Sequence, residues 1–367
     1  MHIYTLRLRN YRNYEALELT FDPNINVFLG PNAQGKTNII EAVYYASLGH
    51  SHRTHTDADL IRWEQPEALV QLGFSRLGVE NKLEFQFSRV KRRRILLNDH
   101  PIRPKDLVGS LNTVLFSPED LFLIKGAPAL RRRFLDGEIS QASPAYYHEL
   151  TKYNKIVTQR NNLLKKIREH KAGTDMLDLW DVQLAASAVK ITRKRQEAVR
   201  KLNMLANLMQ RRISGNLENL AITYEIHGAE GASVTNDLES WYNKELASHR
   251  DVDIIRGSTG RGPHLDDIIL MVNGINLRSF GSQGQQRTGV LSLKLAELEF
   301  LRSETGEYPV LLLDDVMSEL DASRRGQLMD FIFRERIQTM ITATDGAYFP
   351  QERIGTYYQV AAGQITR

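Results

Sequence analysis

Residues Gly30 to Asn38 read Gly-Pro-Asn-Ala-Gln-Gly-Lys-Thr-Asn and follow the apolar run Ile25-Asn26-Val27-Phe28-Leu29. Gly30, Gly35, Lys36 and Thr37 fill the pattern G-x-x-x-x-G-K-[ST], and the stretch Ile39 to Leu48 behind it is helix-compatible. A strand, a glycine loop and a helix in that order let successive backbone amides converge on phosphate oxygens. The helix N-terminus adds its positive end, Lys36 a point charge and Thr37 a hydroxyl suited to Mg²⁺. Pro31, Asn32, Ala33, Gln34 and Asn38 complete the predicted nucleotide-binding loop. A chance glycine turn before an amphipathic helix would explain the loop alone, but not its agreement with both flanks. The chain is expected to fold as an α/β protein around this loop and to bind a nucleoside triphosphate.

Its 367 residues exceed a usual single core, so one large or two associated domains are expected. No apolar run approaches the ~18 residues of a membrane helix, the N-terminus lacks a signal-peptide stretch, and there is no cysteine. A cytosolic location with no membrane partner is the expectation. The net charge of +4 is unevenly spread: Pro144 to Ser214 holds 15 Lys and Arg against 6 Asp and Glu, which leaves the remainder net negative. Such asymmetry suits a polyanionic partner, although charged helical faces are often only solvated surface.

Strand-like runs fill the first part of the chain, with a hairpin around Leu77 to Asn81, and the basic run Lys91-Arg92-Arg93-Arg94 is a secondary DNA-contact candidate. From Pro118 to Ser214 helix formers dominate. Two stretches, Ala145 to Lys171 and Met176 to Ser214, predict a helical arm, the longer reaching roughly 60 Å. A strand at Leu220 to Ile226, a helix from about Thr235 to Ser248 and renewed α/β alternation follow. The predicted organisation is an ATPase lobe from residues 1–117 and 235–367, with 118–234 forming a helical second lobe and short arm.

Two further constellations carry chemistry. Pro309 to Leu313 reads as a strand buried on both faces and ends in Asp314-Asp315, where open α/β sheets place their ligand sites. Adjacent acids there call for a cation: Asp314 is expected to hold Mg²⁺ through water, and Asp315 to orient or deprotonate a water attacking the γ-phosphate. Ser282-Gln283-Gly284-Gln285-Gln286-Arg287 opens a helix with Ser282 as N-cap, and a serine hydroxyl, a glycine and free helix-end amides make an anion site. The order of P-loop, S-x-G-Q-Q-R and acidic strand matches the ATP-binding-cassette superfamily, as does the later Ser318-Glu319-Leu320-Asp321.

With Leu8 to Tyr14, Phe116 to Leu121 and Gly262-Pro263-His264-Leu265-Asp266-Asp267 added, the chain resembles, over nearly its full length, the RecF family of bacterial recombination mediators related to the heads of SMC proteins. The resemblance implies an ABC-type ATPase head, a P-loop NTPase with a mixed sheet, a helical second lobe and a short antiparallel arm. It implies ATP and Mg²⁺ as cofactors, with Arg12 and Asn13 joining the nucleotide site and Ser282, Gly284 and Gln285 meeting nucleotide across an ATP-dependent homodimer. Weak ATPase activity would be coupled to binding double-stranded DNA and gapped junctions. RecR, with RecO and RecA in the pathway, would be partner in loading RecA during repair, replication-fork maintenance and the SOS response. Lys190, Arg193, Lys194 and Arg195 are the arm's candidate DNA contacts.

Departures from the superfamily bear on rate. Asp315 stands where many cassette ATPases carry glutamate, Glu119 falls at the Gln-loop position and Thr344 at the switch histidine, each weakening hydrolysis. The rivals are a transporter ATPase subunit, a long-armed chromosome organiser and a small-molecule kinase. The basic arm, its shortness and the signature oppose them in turn. Gly262 to Asp267 is expected to be a structural turn.

Overall fold

The computed structural model describes residues 1–229, 237–349 and 355–367. By internal contacts the chain divides into two compact units, Met1–Leu121 with Val290–Arg367, and Phe122–Gly289.

Two sheets build the first unit. One is an antiparallel meander in the order Tyr14–Thr20, His2–Tyr11, Glu67–Arg76, Val79–Ser88, Arg94–Leu97 and His100–Ile102. The other runs Gln364–Thr366, Thr356–Ala361, Ile25–Leu29, Thr339–Ala343, Val310–Asp314 and Thr113–Phe116, parallel throughout except for its first pair. All residues of Val310–Asp314 and Thr339–Ala343 are buried, as their unbroken apolar composition requires of strands covered on both faces. The helix Lys36–Leu48 packs on both sheets, its Ile39, Ile40, Val43 and Tyr45 sharing one core with Leu6, Val70 and Phe85 of the meander and Val310, Leu312 and Met340 of the parallel sheet. Gln338, buried ahead of its strand, donates to the carbonyls of Ile3 (2.7 Å) and Asp22 (2.9 Å) and accepts from the Ile3 amide (2.7 Å), pairing those three backbone groups.

In the second unit, Pro128–Ala142, Pro144–Arg168 and Leu177–Ile213 are helices, and Leu220–Glu225, Asp267–Val272 and Ile275–Asn276 form a small antiparallel sheet. Ser143 caps the second helix by accepting from the Tyr146 amide, with Pro144 at its first position. The third, with 37 residues, is about 55 Å long, close to the reach expected of the arm. The predicted helix from Thr235 is observed as Leu238–Ser248, capped by Asp237; Thr235 and the proposed boundary at 234/235 lie outside the described residues.

Residues 237–289 group with this second unit, whereas the sequence reading gave 235–367 to the ATPase lobe. The reason is pairing. Asp267–Val272 hydrogen-bonds along its whole length with Leu220–Glu225, and the segment before it is held by the long helices. Arg131 grips Asp267 with two hydrogen bonds of 2.8 Å, Tyr153 reaches His264 at 2.6 Å, and Tyr224 reaches Asp266 at 2.5 Å. At Gly262, with φ 136°, a Cβ would stand 2.4 Å from the Tyr153 hydroxyl, so glycine is required. Gly262 to Asp267 is therefore the turn expected, and its acids and histidine are engaged within the unit. Burial pulls the His264 pKa down to about 4 and pushes that of Asp266 up to about 6.

Candidate functional site

The loop Gly30–Gly35 leaves the parallel strand Ile25–Leu29 and enters the helix at Lys36. Gly30 (φ 155°) lies against the neighbouring strand, where a Cβ would stand 2.2 Å from the Val360 carbonyl. Gly35 (φ 113°) faces Asn13 and Tyr14 at similarly close range. Ala33 takes a left-handed conformation at φ 64°. The loop is secured from outside. Tyr14 donates to the Gly35 carbonyl (3.1 Å), Asn13 to that of Gln34 (3.0 Å), and Asn38 to the Asn13 side-chain oxygen (2.7 Å).

Lys36 is buried, and its ammonium donates to the carbonyls of Gly30 (2.6 Å) and Pro31 (2.8 Å), using two of three donors. Burial lowers its pKa, while the charges of Asp315 and Asp314 act in the opposite direction. The Thr37 hydroxyl donates to Asp314 Oδ1 at 3.0 Å, and the Thr342 hydroxyl donates to the same oxygen at 2.7 Å. Thr342 in turn accepts from the Asp315 amide at 2.9 Å. Asp315 sits at φ 55°, a left-handed conformation tolerated by aspartate and typical of residues whose surroundings fix them at a site. Its pKa is raised, chiefly by burial, against the lowering charge of Lys36. Strand register explains this convergence: Asp314 pairs with Thr342, and Ala343 with Leu29, so all three strands end at one edge beside the loop.

Arg12 reaches Glu41 of the P-loop helix with bonds of 2.8 and 2.6 Å. Glu41 is fully buried. Burial pushes its pKa up, but Arg12 and Ser51 hydrogen bonds, with the charges of Arg12 and Arg53, outweigh that and hold it low. Arg53 also donates to the Asn38 side chain at 2.9 Å. Arg12 and Asn13 are thus beside the loop, Asn13 on its backbone and Arg12 through Glu41. Sequence reasoning missed Thr342, Tyr14, Glu41, Ser51 and Arg53. Glu119 and Thr344 are exposed.

Ser282, Gly284 and Gln285 lie in the second unit. Ser282 is exposed and caps the helix Gln283–Thr305: its hydroxyl accepts from the Gln285 amide (3.2 Å), and the Gln285 side chain accepts from the Ser282 amide (3.1 Å), a reciprocal capping box. Asp321 caps Ala322–Glu335 in the first unit, accepting from the Arg324 amide at 2.9 Å.

Of the arm cations, Arg195 is corrected. Only 2% exposed, it makes two 2.9 Å bonds to Asp136 and donates to the Pro263 carbonyl at 2.5 Å, so it cannot reach a DNA backbone. Lys190, Arg193 and Lys194 are exposed, with Glu149 at 3.5 Å from Lys190 and Glu197 at 3.0 Å from Lys194. Arg195→Ala is expected to destabilise the protein by about 2–4 kcal/mol, because it empties a buried site and leaves the partly buried Asp136 carboxylate without its cation. Urea unfolding checks this; an unchanged midpoint would return Arg195 to the solvated surface. In the secondary basic run, Arg93 is engaged by Asp57 (3.1 Å) and the Gly49 carbonyl (2.7 Å), leaving Lys91, Arg92 and Arg94 exposed.

The sequence profile described as RecF/RecN/SMC N terminal domain matches residues 2–363. The chain is 45% identical over 375 residues to the DNA replication and repair protein RecF of Halothermothrix orenii, covering 100% of this chain and 99% of that one. It is 42% identical to the RecF of Halalkalibacterium halodurans, with full coverage of both. A solved structure of the recombination mediator protein RecF with ATP, in the RecFOR pathway, superposes with a TM-score of 0.91 at 34% identity, covering 100% of this chain and 97% of that one. An Smc head bound to the C-winged helix domain of ScpA superposes with a TM-score of 0.55 at 14% identity, covering 100% and 96%, and shares the fold. With this P-loop, acidic strand end and capped signature helix on an SMC-like ABC ATPase head, the chain belongs to the RecF family of DNA replication and repair proteins.

Proposed function

We propose that this protein is a weak, DNA-dependent ATPase of recombinational repair and replication-fork maintenance that works in the cytoplasm. ATP binds the Gly30–Asn38 loop and joins two copies, each triphosphate meeting the P-loop of one copy and the Ser282 signature of the other. The dimer engages double-stranded DNA at junctions with single strands. With RecR, and with RecO in the pathway, it helps load RecA at gaps; hydrolysis releases the dimer. The observation that carries the nucleotide reading is the Thr37–Asp314 hydrogen bond of 3.0 Å, which joins P-loop and acidic strand into one cluster of hard oxygens beside Lys36. A RecF solved with ATP supports the same assignment.

Thr37 and Asp314 fit Mg²⁺, which takes few protein oxygens and keeps its waters and the nucleotide's phosphates as other ligands. When bound there it would neutralise charge developing on the phosphates. The chain's own part is positional. The loop amides and Lys36 hold the triphosphate, and Asp315 orients the attacking water and takes its proton. Aspartate is one methylene shorter than the usual glutamate, and neither Glu119 nor Thr344 offers a glutamine or histidine, which favours slow turnover.

Asp315→Asn is expected to keep ATP affinity and to lower single-turnover hydrolysis by about 10²–10⁴, since the amide is a near-isostere that cannot take a proton. Asp314→Asn should impair the Mg²⁺-dependent step instead. Wild-type hydrolysis in Asp315→Asn would remove it from the base role. The whole reading is tested by sedimentation with and without ATP and gapped DNA: a monomer under every condition, with no DNA co-sedimenting, would refute it.

A further inference from the structure

On the helix Pro144–Arg168, Tyr146, Tyr153, Ile156, Arg160 and Leu164 are buried, which fixes how the helix is turned. The opposite face carries His148, Lys152, Lys155, Gln159, Asn162 and Lys166, all exposed. Their spacing of three or four residues places them within a stripe roughly 80° wide. No acid lies on this stripe. The helix's one acid, Glu149, accepts from Ser187 at 2.7 Å and faces Lys190. Among the described residues, Lys152, Lys155 and Lys166 have no ion-pair partner.

The contrast is with the other long helix, where acids accompany three of the cations: Glu149 faces Lys190, and Glu197 faces Lys194 and Lys201. An ammonium already near a carboxylate gives that interaction up when it turns to a phosphate, and so gains less. An unpaired one neutralises a phosphate outright and releases its counterion.

We infer that the lysine stripe of Pro144–Arg168 is the surface along which this protein follows a DNA backbone, with Lys152, Lys155 and Lys166 meeting phosphates and Gln159 and Asn162 donating between them. From Lys152 to Lys166 the helix rises about 21 Å, a length over which duplex DNA carries about a dozen phosphates. The residue types agree with that partner: ammoniums and amides donate to phosphate oxygens without reading bases, so the stripe positions the protein and carries no sequence preference. An acidic protein face is the competing occupant. It is disfavoured because the stripe has no apolar residue to form the dry centre of a protein interface.

This inference rests on the DNA reading above and is tested separately from it. Binding of a roughly 30-base-pair fluorescein-labelled duplex, in ATP and Mg²⁺, is measured by anisotropy at KCl from about 50 to 200 mM. Wild-type protein and the triple variant Lys152→Gln/Lys155→Gln/Lys166→Gln are compared, with ATP affinity and melting temperature as controls. The expected result is a plot of log K against log salt that flattens by about 2.7, at ~0.9 for each phosphate no longer neutralised, with ATP affinity unchanged. A wild-type protein that binds the duplex while the variant shows the same slope would overturn the stripe and leave the DNA reading standing. A wild-type protein with no measurable duplex affinity would overturn both.

Discussion

Lys36→Ala is expected to abolish ATP binding under conditions that saturate the wild type. The side chain is placed for this effect: buried at the start of the P-loop helix, its ammonium is held by the Gly30 and Pro31 carbonyls at 2.6 and 2.8 Å. Two of its three donors already sit at the lip of the loop. Bound triphosphate offers oxygens of much higher charge, and hydrogen bonds involving an ionised group contribute about 1.5–3 kcal/mol each. Removing two such bonds amounts to at least about a hundredfold in affinity. A competing effect must be separated from this, because alanine also leaves the two loop carbonyls without their donor. Pro31 is exposed, so water can replace the ammonium there, and the space the lysine vacates lets water follow to the buried Gly30 carbonyl, while the strand and helix flanking them are held by the core around Ile39, Ile40 and Val43. The fold should therefore persist while nucleotide affinity falls. Titration with a fluorescent ATP analogue, beside far-ultraviolet circular dichroism, measures both; undiminished affinity in a folded variant would mean that the loop is not a phosphate cradle.

What the sequence disclosed and what it hid divide along sequence distance. The P-loop is a local pattern, and the strand, turn and helix it needs are adjacent in the chain, so the motif was legible as geometry. Val310–Asp314 was legible for a related reason, its unbroken apolar run marking a strand buried on both faces. Thr342 was not legible. Its hydroxyl matters because the register sets it opposite Asp314, and nothing in Thr339-Met340-Ile341-Thr342 encodes that register. The Glu41 cluster fails for the same reason, since Arg12 lies 29 residues away from its partner. Arg195 is different, because a signal was present and went unused. Leu184, Ala188, Ile191, Ala198 and Leu202 mark a buried stripe at helical spacing, and Arg195 falls on it. A cation on an apolar stripe is a buried partner of some acid, here Asp136. Counting charge along the segment hid this, whereas sorting the same charges by helical face separates Arg195 from the exposed cations. The lobe boundary was missed because the pairing of Leu220–Glu225 with Asp267–Val272 spans a long insertion, which only the folded chain closes.

Ser282→Arg is expected to eliminate ATP-driven dimerisation while leaving ATP binding to the monomer nearly intact. The chain carries one P-loop and one signature, and in the proposed dimer each signature completes the other copy's nucleotide site. Ser282 and the first amides of Gln283–Thr305 would meet the triphosphate's charge only after association. ATP can then shift the monomer–dimer equilibrium only by its differential affinity for the two states, and ADP, without the γ-phosphate, should shift it far less. An arginine at Ser282 puts a long side chain where the partner's phosphate must approach. Its positive charge is attracted to that phosphate, but a guanidinium at the tip of a long side chain cannot stand where the short hydroxyl and the backbone amides converge. The substitution also removes the capping hydrogen bond of 3.2 Å to the Gln285 amide, a cost of about 0.5–2 kcal/mol borne by the first turn of the helix. Ser282→Ala separates the two effects: it removes the cap without adding bulk, so it should dimerise, though more weakly than wild type. Multi-angle light scattering of the three proteins with ATP and with ADP decides the matter. A wild-type protein that stays monomeric in saturating ATP, or a Ser282→Arg protein that dimerises as well as wild type, would leave Ser282 as the cap of a helix and nothing more.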